Sequence, residues 1–330
     1  MTDRTSASSQ SQDLPLARLA LLLEQEQRRG VLPEVRAMAE EVRRRHGSSV
    51  QAVLFYGSCL RRSYVDEGVL DFYAIVDGYR AAYRSVVLAA SNAALPPNVY
   101  YVEQEVGGRT LRMKYAVLSR ADFAAACRPA SLHAIVWARF CQPFAAVWVR
   151  DEQVRASIAE DSAEAVLTMI SRMLALAPQA ASAEELWQAG FAATYGTELR
   201  TESEATIRSV YEAAPQRYDR VAALAVQELA RRGELAGSIE EDGRVAVRLD
   251  PAVAAGTVRS WRRKLPVAKG LYAVRILKSA MTFGDWLPYA LWKLQRHTGV
   301  KIEPTERQRR HPLIWGWPVV LRLLLRQNLR

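Results

Sequence analysis

The sequence predicts an α+β protein: a mixed β-sheet with flanking helices, then a helical region, then a basic amphipathic C-terminal tail. Residues 50–56 and 69–76 form two short and almost wholly apolar runs, which is typical of buried strands. Beyond residue 120 the composition shifts to Ala, Leu, Glu and Arg, which favours helices. The chain has 330 residues, half of them hydrophobic, so it can bury about two domain cores.

The elements follow in a definite order. A polar stretch at 1–13 predicts a disordered tail, and 14–47 has helical periodicity interrupted near Gly30 and Pro33. After the two buried strands, 79–94 is predicted to be helical. The remaining helical segments are predicted at 151–177, 183–213, 217–235 and 257–297, with a small hairpin at 237–249. This gives four parts: a tail at 1–13, an α/β domain at 14–150, a helical domain at 151–256 and a basic, Trp-rich helical region at 257–330.

Gly107-Gly108 separates two strand-like runs and predicts a two-residue hairpin. With this turn, Glu103 faces Arg112 and Tyr101 faces Lys114 across the strands. Arg112 and Lys114 then share one face of their strand. If that strand lies beside the second buried strand, the two cations can bind a triphosphate. The alternative for Arg112 is a simple cross-strand ion pair with Glu103.

The net positive charge is confined to the C-terminal fifth of the chain. Residues 259–330 carry 16 basic and 3 acidic side chains, whereas the other 258 residues carry 29 basic and 32 acidic ones. Five of the eight tryptophans lie in the same region. Such a combination suits an anionic membrane surface or nucleic acid, and the bunched apolar residues at 313–315 and 319–325 favour the membrane. A C-terminal helix packed on the protein's own core is the alternative.

No apolar run approaches the ~18 residues of a membrane span. Three cysteines without close spacing argue against a disulfide framework and favour a reducing compartment. We therefore expect a cytoplasmic protein that binds peripherally to the inner face of the cell membrane.

The most informative motif is Gly57-Ser58 at the end of the first buried strand, followed thirteen residues later by Asp71 inside the second. A glycine lets backbone N–H groups approach a triphosphate, and the serine hydroxyl adds a donor. A carboxylate inside an apolar strand is costly unless it is paired or binds a metal such as Mg²⁺. Nucleotidyltransferases of the polymerase-β type use this arrangement. Their usual second carboxylate is replaced here by Tyr73.

The chain resembles the mitochondrial-type phosphatidate cytidylyltransferases, also known as the mitochondrial translocator assembly and maintenance protein family, which has bacterial members. The resemblance is carried by Tyr56-Gly57-Ser58, Leu70-Asp71-Phe72, the stretches 98–101, 109–119 and 138–143, Tyr195 to Arg200, and 269–297. It implies a polymerase-β-like nucleotidyltransferase domain at 14–150. It also implies an Mg²⁺-dependent enzyme of phospholipid biosynthesis that makes CDP-diacylglycerol and pyrophosphate from CTP and phosphatidic acid. Such an enzyme works on a membrane surface, and residues 259–330 would bind this chain there.

Individual roles follow from the motif and the resemblance together. Asp71 and Lys114 are the predicted catalytic residues, and Asp71 and Glu198 the predicted metal ligands. The predicted nucleotide-binding residues are Gly57, Ser58, Arg112, Lys114, Arg139 and Arg200. Arg139 stands in an otherwise apolar run, and Glu198 is a candidate for the missing second carboxylate.

Two other functions fit the sequence. One is a nucleotidyltransferase that acts on RNA ends or on a small hydroxylated substrate, with the basic tail binding RNA. The other is an inactive relative that serves as an adaptor on a lipid surface, for which Tyr73 is the support. The apolar grouping in the tail disfavours nucleic acid as a partner.

Overall fold

The computed structural model describes residues 14–62, 68–178, 180–197, 203–240 and 242–282. The elements, in chain order, are α1 (Pro15–Gln27), α2 (Pro33–His46), β1 (Val50–Tyr56), α3 (Ser58–Arg62), β2 (Leu70–Val76), α4 (Tyr79–Ala82), α5 (Val86–Ala94), β3 (Asn98–Val106), β4 (Arg109–Ser119), α6 (Arg120–Ala126), α7 (Trp137–Phe140), β5 (Ala145–Val149), α8 (Glu152–Leu176), α9 (Ala183–Tyr195), α10 (Glu204–Glu212), α11 (Pro215–Arg231), β6 (Ala236–Ile239), β7 (Val245–Arg248) and α12 (Pro251–Thr282). The predicted tail at 1–13 and the C-terminal segment 283–330 lie outside the described residues.

A five-stranded mixed sheet forms the centre of the α/β part, with the strand order β3-β4-β2-β1-β5. The pair β2–β4 is parallel, and the other three pairs are antiparallel. The hairpin β3–β4 has the predicted register, with Tyr101 opposite Lys114 and Glu103 opposite Arg112. The mixed sheet and the many helices confirm the predicted α+β class.

Side chains alternate between the two faces of the sheet along every strand. Both faces carry apolar side chains, and helices cover both. One face, which includes Leu54, Tyr73 and Leu118, packs into a core with α1, α8, α9 and α11. The other, which includes Phe55, Phe72 and Val117, packs against α2. The first core joins the sheet to the helices beyond residue 150. Cys59, Cys127 and Cys141 are all buried, and no disulfide bond joins any two of them.

Strand β5 contradicts the prediction of helices beyond residue 120, because it pairs with β1 at one edge of the sheet. Its five residues, Ala145–Val149, are too few to show a periodicity. The helices at 151–177 and 217–235 and the hairpin β6–β7 are present. The predicted helices at 79–94 and 183–213 are each divided into two, namely α4 and α5, and α9 and α10. Of the predicted helix at 257–297, the structure describes the part up to Thr282, within α12. None of the described helices is long and apolar enough to cross a membrane.

The C-terminal part of α12 is fixed to the start of β3 by polar side chains. The Arg275 guanidinium donates Nε–H to the carbonyl oxygen of Pro96 at 2.8 Å. The Thr282 hydroxyl donates to the carbonyl oxygen of Val99 at 2.7 Å, and the Lys278 ammonium donates to that of Leu95. A second nitrogen of Arg275 lies 2.6 Å from Nε2 of His133. These contacts join α12 to segments that lie far away in the sequence.

His133 gives this junction a pH dependence. Burial, and the positive charge of Arg275, lower the pKa of His133 from 6.5 to about 4. The unfolded chain therefore takes up a proton near pH 6.5, whereas the folded chain does so only near pH 4. The free energy of unfolding should fall by up to about 2–3 kcal/mol for this residue between pH 7 and pH 4.5. His133→Gln should remove that part of the slope in urea denaturation at the two pH values. An unchanged slope would contradict the assignment.

Candidate nucleotide site

Four side chains from four neighbouring strands form one row across the sheet. Asp71 on β2 is in register with Tyr56 on β1 and with Lys114 on β4, and Lys114 is in register with Tyr101 on β3. Partners in register project from the same face, here the face that also carries Tyr73. β2 is otherwise almost wholly buried, and the Asp71 side chain keeps 24% of its surface exposed. The row therefore places an accessible carboxylate at the end of a buried strand.

Gly57 directly follows β1 and packs against this carboxylate. Its φ of +89° lies in the left-handed region, and a Cβ built at this position would lie 3.1 Å from Oδ2 of Asp71. Glycine is required here both by its backbone conformation and by the approach of the carboxylate. The next residue, Ser58, is exposed at the start of α3. The predicted Gly-Ser turn and the predicted acid thus lie side by side.

Gly57→Ala should impair both stability and activity. The positive φ costs about 1–2 kcal/mol for an alanine, and the methyl group would push against the Asp71 carboxylate. Gly78→Ala is the matched control, because Gly78 has an extended backbone with a φ of −173° and nothing within 4 Å of the added Cβ. Urea denaturation and the turnover rate of both variants test the expectation. Equal effects of the two substitutions would contradict it.

Lys114 has a charged partner that the register of the hairpin does not reveal. Its ammonium nitrogen lies 3.1 Å from Oδ1 of Asp71. The pair forms because β4 runs parallel to β2, so that residues distant in sequence become lateral neighbours. About a third of the Lys114 side chain, 32%, remains exposed. A cation and an anion therefore stand next to each other at an accessible position.

Tyr56 connects the row to Arg139. Burial is the main cause that raises the pKa of the Tyr56 hydroxyl, and the Asp71 carboxylate raises it further. A hydrogen bond from the Arg139 guanidinium to Tyr56 acts in the opposite direction. Arg139 also donates to the carbonyl oxygen of Ile135 at 2.7 Å from the short helix α7. The structure thus brings Arg139 to the Asp71 end of the sheet, and its role in nucleotide binding stays a prediction.

Arg112 lies one step farther along β4 on the same face. Its Nε lies 3.0 Å from Oε1 of Glu103, and the same oxygen accepts a hydrogen bond of 2.5 Å from the Tyr101 hydroxyl. The cross-strand ion pair anticipated from the register is present. A role of Arg112 in nucleotide binding stays a prediction.

Two predicted site residues, Glu198 and Arg200, lie outside the described residues. The chain is described up to Thr197, directly after α9. Their roles as metal and nucleotide ligands remain predictions. Tyr56, in contrast, was not among the predicted site residues. Its register with Asp71 was the signal that would have identified it, and that register depends on the pairing of β1 with β2.

The side chains around Asp71 show in which way this site could bind Mg²⁺. In the part of the chain that the structure describes, no three His, Cys, Asp or Glu side chains cluster as metal ligands. Asp71 is the carboxylate that borders Gly57. Mg²⁺ is commonly held by one or two carboxylates together with substrate phosphates and water. Asp71 suits that mode of binding, in which the nucleotide supplies the other ligands.

Comparisons with known proteins add little. No family model matches the chain, and no curated protein matches it. Among solved structures, the chain is similar to a nucleotidyltransferase-like protein from Exiguobacterium sibiricum 255-15, with 10% sequence identity over 89% of this chain and 90% of that one. The TM-score is 0.27, and at this value the likeness carries no argument about fold or activity.

Proposed function

We propose that the protein is a nucleotidyltransferase that transfers a cytidylyl group from CTP to phosphatidic acid, forming CDP-diacylglycerol and pyrophosphate. The observation that carries the nucleotidyl-transfer part is the contact of Gly57 with the Asp71 carboxylate, beside the Lys114 ammonium. Binding of a nucleoside triphosphate requires three groups: a turn whose backbone can approach the phosphates, an acidic side chain and a cationic side chain. The family resemblance of the sequence supports CTP and phosphatidic acid as the substrates.

The reaction needs positioning more than acid–base chemistry. An oxygen of the lipid phosphate attacks the α-phosphorus of CTP, a new P–O bond forms, and the bond to the β-phosphate oxygen breaks as pyrophosphate leaves. A phosphate monoester is largely ionised at pH 7, with a second pKa of about 6, so no strong general base is required. The site must hold the two phosphates in line and neutralise their charge.

Each residue of the site has a separate task in this proposal. Asp71 would hold Mg²⁺, which supplies charge neutralisation at the phosphates when it is bound. Lys114 turns from Asp71 toward the triphosphate and contributes a charge-assisted contact. Gly57 leaves room for the Asp71 carboxylate beside the turn, and Ser58 adds a hydroxyl donor. Tyr56 positions Arg139 at the same end of the sheet.

The exposed surface of α12 supports action on a membrane. Val267, Val274, Ile276 and Leu277 are each 45–60% exposed on this helix. The exposed cations of the same helix include Arg259, Arg262, Arg263 and Lys269. Apolar side chains among cations suit an anionic lipid surface, where each cation contributes ~1 kcal/mol. We therefore propose that residues 259–330 bind the protein to the inner face of the cell membrane. Residues 283–330 of this region lie outside the described part.

Pyrophosphate release tests the proposed function. The full-length protein with Mg²⁺, CTP and phosphatidic acid in mixed micelles should release pyrophosphate, and omission of the lipid should abolish the release. ATP, GTP and UTP in place of CTP test the choice of nucleotide. Release with an RNA oligonucleotide but not with the lipid would favour the RNA-end alternative, and no release with any acceptor would favour the inactive adaptor.

A further inference from the structure

A cavity of about 210 Å³ lies beside the sheet, between the end of β4, α6, the segment 131–136 and α12. Its wall is mostly apolar and includes Pro97, Leu118, Ala126, Leu132, Ile135 and Val136. The polar side chains at its border are Asp122, Ser131, His133 and Arg275. One water molecule needs about 10–15 Å³ in this measure, so the cavity has room for several groups of that size. This is room for the first part of an alkyl chain.

Arg275 is a buried cation at this cavity. Its exposed fraction is 9%, and no carboxylate of the described residues forms an ion pair with it. Its hydrogen-bond partners are neutral: the carbonyl oxygen of Pro96 accepts its Nε–H, and His133 contacts another nitrogen. The Lys278 ammonium is a second cation nearby, since burial and the charge of Arg275 both lower the pKa of Lys278. Burying a charge without an opposite charge is costly. An anionic ligand would offset that cost.

Two hydrogen-bond donors at this position have no acceptor. A guanidinium can only donate, so Nε2 of His133 accepts at 2.6 Å and the proton of the neutral imidazole is on Nδ1. Nδ1 of His133 and Nη1 of Arg275 are both buried and have no hydrogen-bond partner. Both unpaired atoms are therefore donors, which is the pattern that an oxyanion satisfies.

The pair lies on the same face of the sheet as the candidate nucleotide site. Leu118, which lines the cavity, lies four residues beyond Lys114 on β4, and residues an even number of positions apart on a strand share a face. A phosphate at Arg275 would be on the face of the sheet from which Asp71 and Lys114 project.

We propose that Arg275 and His133 bind the phosphate of a phosphate-bearing lipid and that the cavity takes the first part of one of its alkyl chains. Resting on the proposed function, this makes the cavity the acceptor subsite. The ligand class is a phosphate monoester with an apolar tail, and the phosphate and the tail are recognised by different walls. The rest of the tail remains in the membrane or micelle.

Binding of a short-chain lipid tests the phosphate half of the proposal. We expect the full-length protein to bind dihexanoyl phosphatidic acid in a calorimetric titration and Arg275→Met to bind it roughly tenfold or more weakly. Arg248→Met is the control, since Arg248 is an exposed arginine on β7, outside the proposed membrane-binding region 259–330, and it should bind like wild type. Arg275→Lys, which keeps the charge, should bind more tightly than Arg275→Met. Equal affinities of Arg275→Met and Arg248→Met would overturn the proposal.

The cavity half has its own variant, which leaves Arg275 intact. Ala126→Leu fills the cavity and should weaken binding of the lipid, whereas Ala121→Leu, at an exposed position of the same helix, should not. Inorganic phosphate should compete only at concentrations far above those of the lipid. Competition by inorganic phosphate at equal concentration, or tight binding by Ala126→Leu, would show a phosphate site without a tail subsite and would overturn this half.

The two proposals can fail separately. Asp71→Asn should bind the lipid as wild type does, and Arg275→Met should bind CTP as wild type does. If the lipid binds through Arg275 but no nucleotide yields pyrophosphate, the proposed function is contradicted and the proposed lipid subsite is supported. If the protein turns over CTP while Arg275→Met binds the lipid normally, the proposed subsite is contradicted and the proposed function is supported.

Discussion

Asp71→Asn is expected to lower the rate of nucleotidyl transfer by at least a factor of roughly 10²–10³, the loss typical of a removed electrostatic contact in a transition state. Asparagine keeps the shape of the side chain but removes the charge that faces Gly57 and Lys114. The fold should survive, because Asp71 and Lys114 are partly exposed and such a pair contributes at most about 1 kcal/mol. Pyrophosphate release and urea denaturation measure the two effects.

Asp77→Asn provides the control for this variant. Asp77 follows the same strand, and its carboxylate binds Arg150 at 2.7 Å and Gln51 at 2.6 Å on the exposed side of the sheet end. We expect its substitution to leave the rate within about twofold, with a loss of stability of about 1 kcal/mol or less. A normal rate in Asp71→Asn would remove the nucleotidyltransferase proposal.

Lys114→Met is expected to have two effects of opposite sign. A triphosphate loses a charge-assisted contact of about 1.5–3 kcal/mol, so the KM for the nucleotide should rise by roughly tenfold or more. Without nucleotide, however, the Lys114 ammonium and a divalent cation compete for the Asp71 carboxylate, since the ammonium nitrogen lies 3.1 Å from Oδ1 of Asp71. Its removal should therefore strengthen binding of Mn²⁺ to the nucleotide-free protein, measured by electron paramagnetic resonance.

Arg109→Met is the control for Lys114→Met on the same strand. Arg109 is half exposed and binds Glu34 at 2.7 Å, at the far end of β4 from the site. Neither the KM nor the binding of Mn²⁺ should change by more than about twofold. If Lys114→Met leaves both quantities unchanged as well, Lys114 is a structural residue of the strand.

The parts of the fold that the sequence predicts correctly depend on local signals. Gly107-Gly108 fixes the hairpin, and its register then follows by counting along both strands. The Gly57-Ser58 turn and the apolar run around Asp71 likewise identify the two ends of the site. These features need only the preference of glycine for turns and the alternation of side chains along a strand.

The remaining features depend on contacts between distant segments. The Lys114–Asp71 pair requires the parallel pairing of β2 with β4, and no pattern in the sequence specifies it. The contact between His133 and Arg275 joins residues 142 positions apart. Such pairs arise from packing of the whole chain, so local sequence signals do not predict them.

The transfer of labelled phosphate tests the central claim most directly. The full-length protein would be incubated with Mg²⁺, phosphatidic acid and CTP labelled with ³²P at either the α or the γ position. The proposed reaction moves the α-label into the lipid fraction and the γ-label into pyrophosphate, and Asp71→Asn should transfer neither. An α-label that never enters the lipid, or one that enters it equally in Asp71→Asn, would contradict the assignment of the Asp71, Lys114 and Gly57 cluster as the site of cytidylyl transfer.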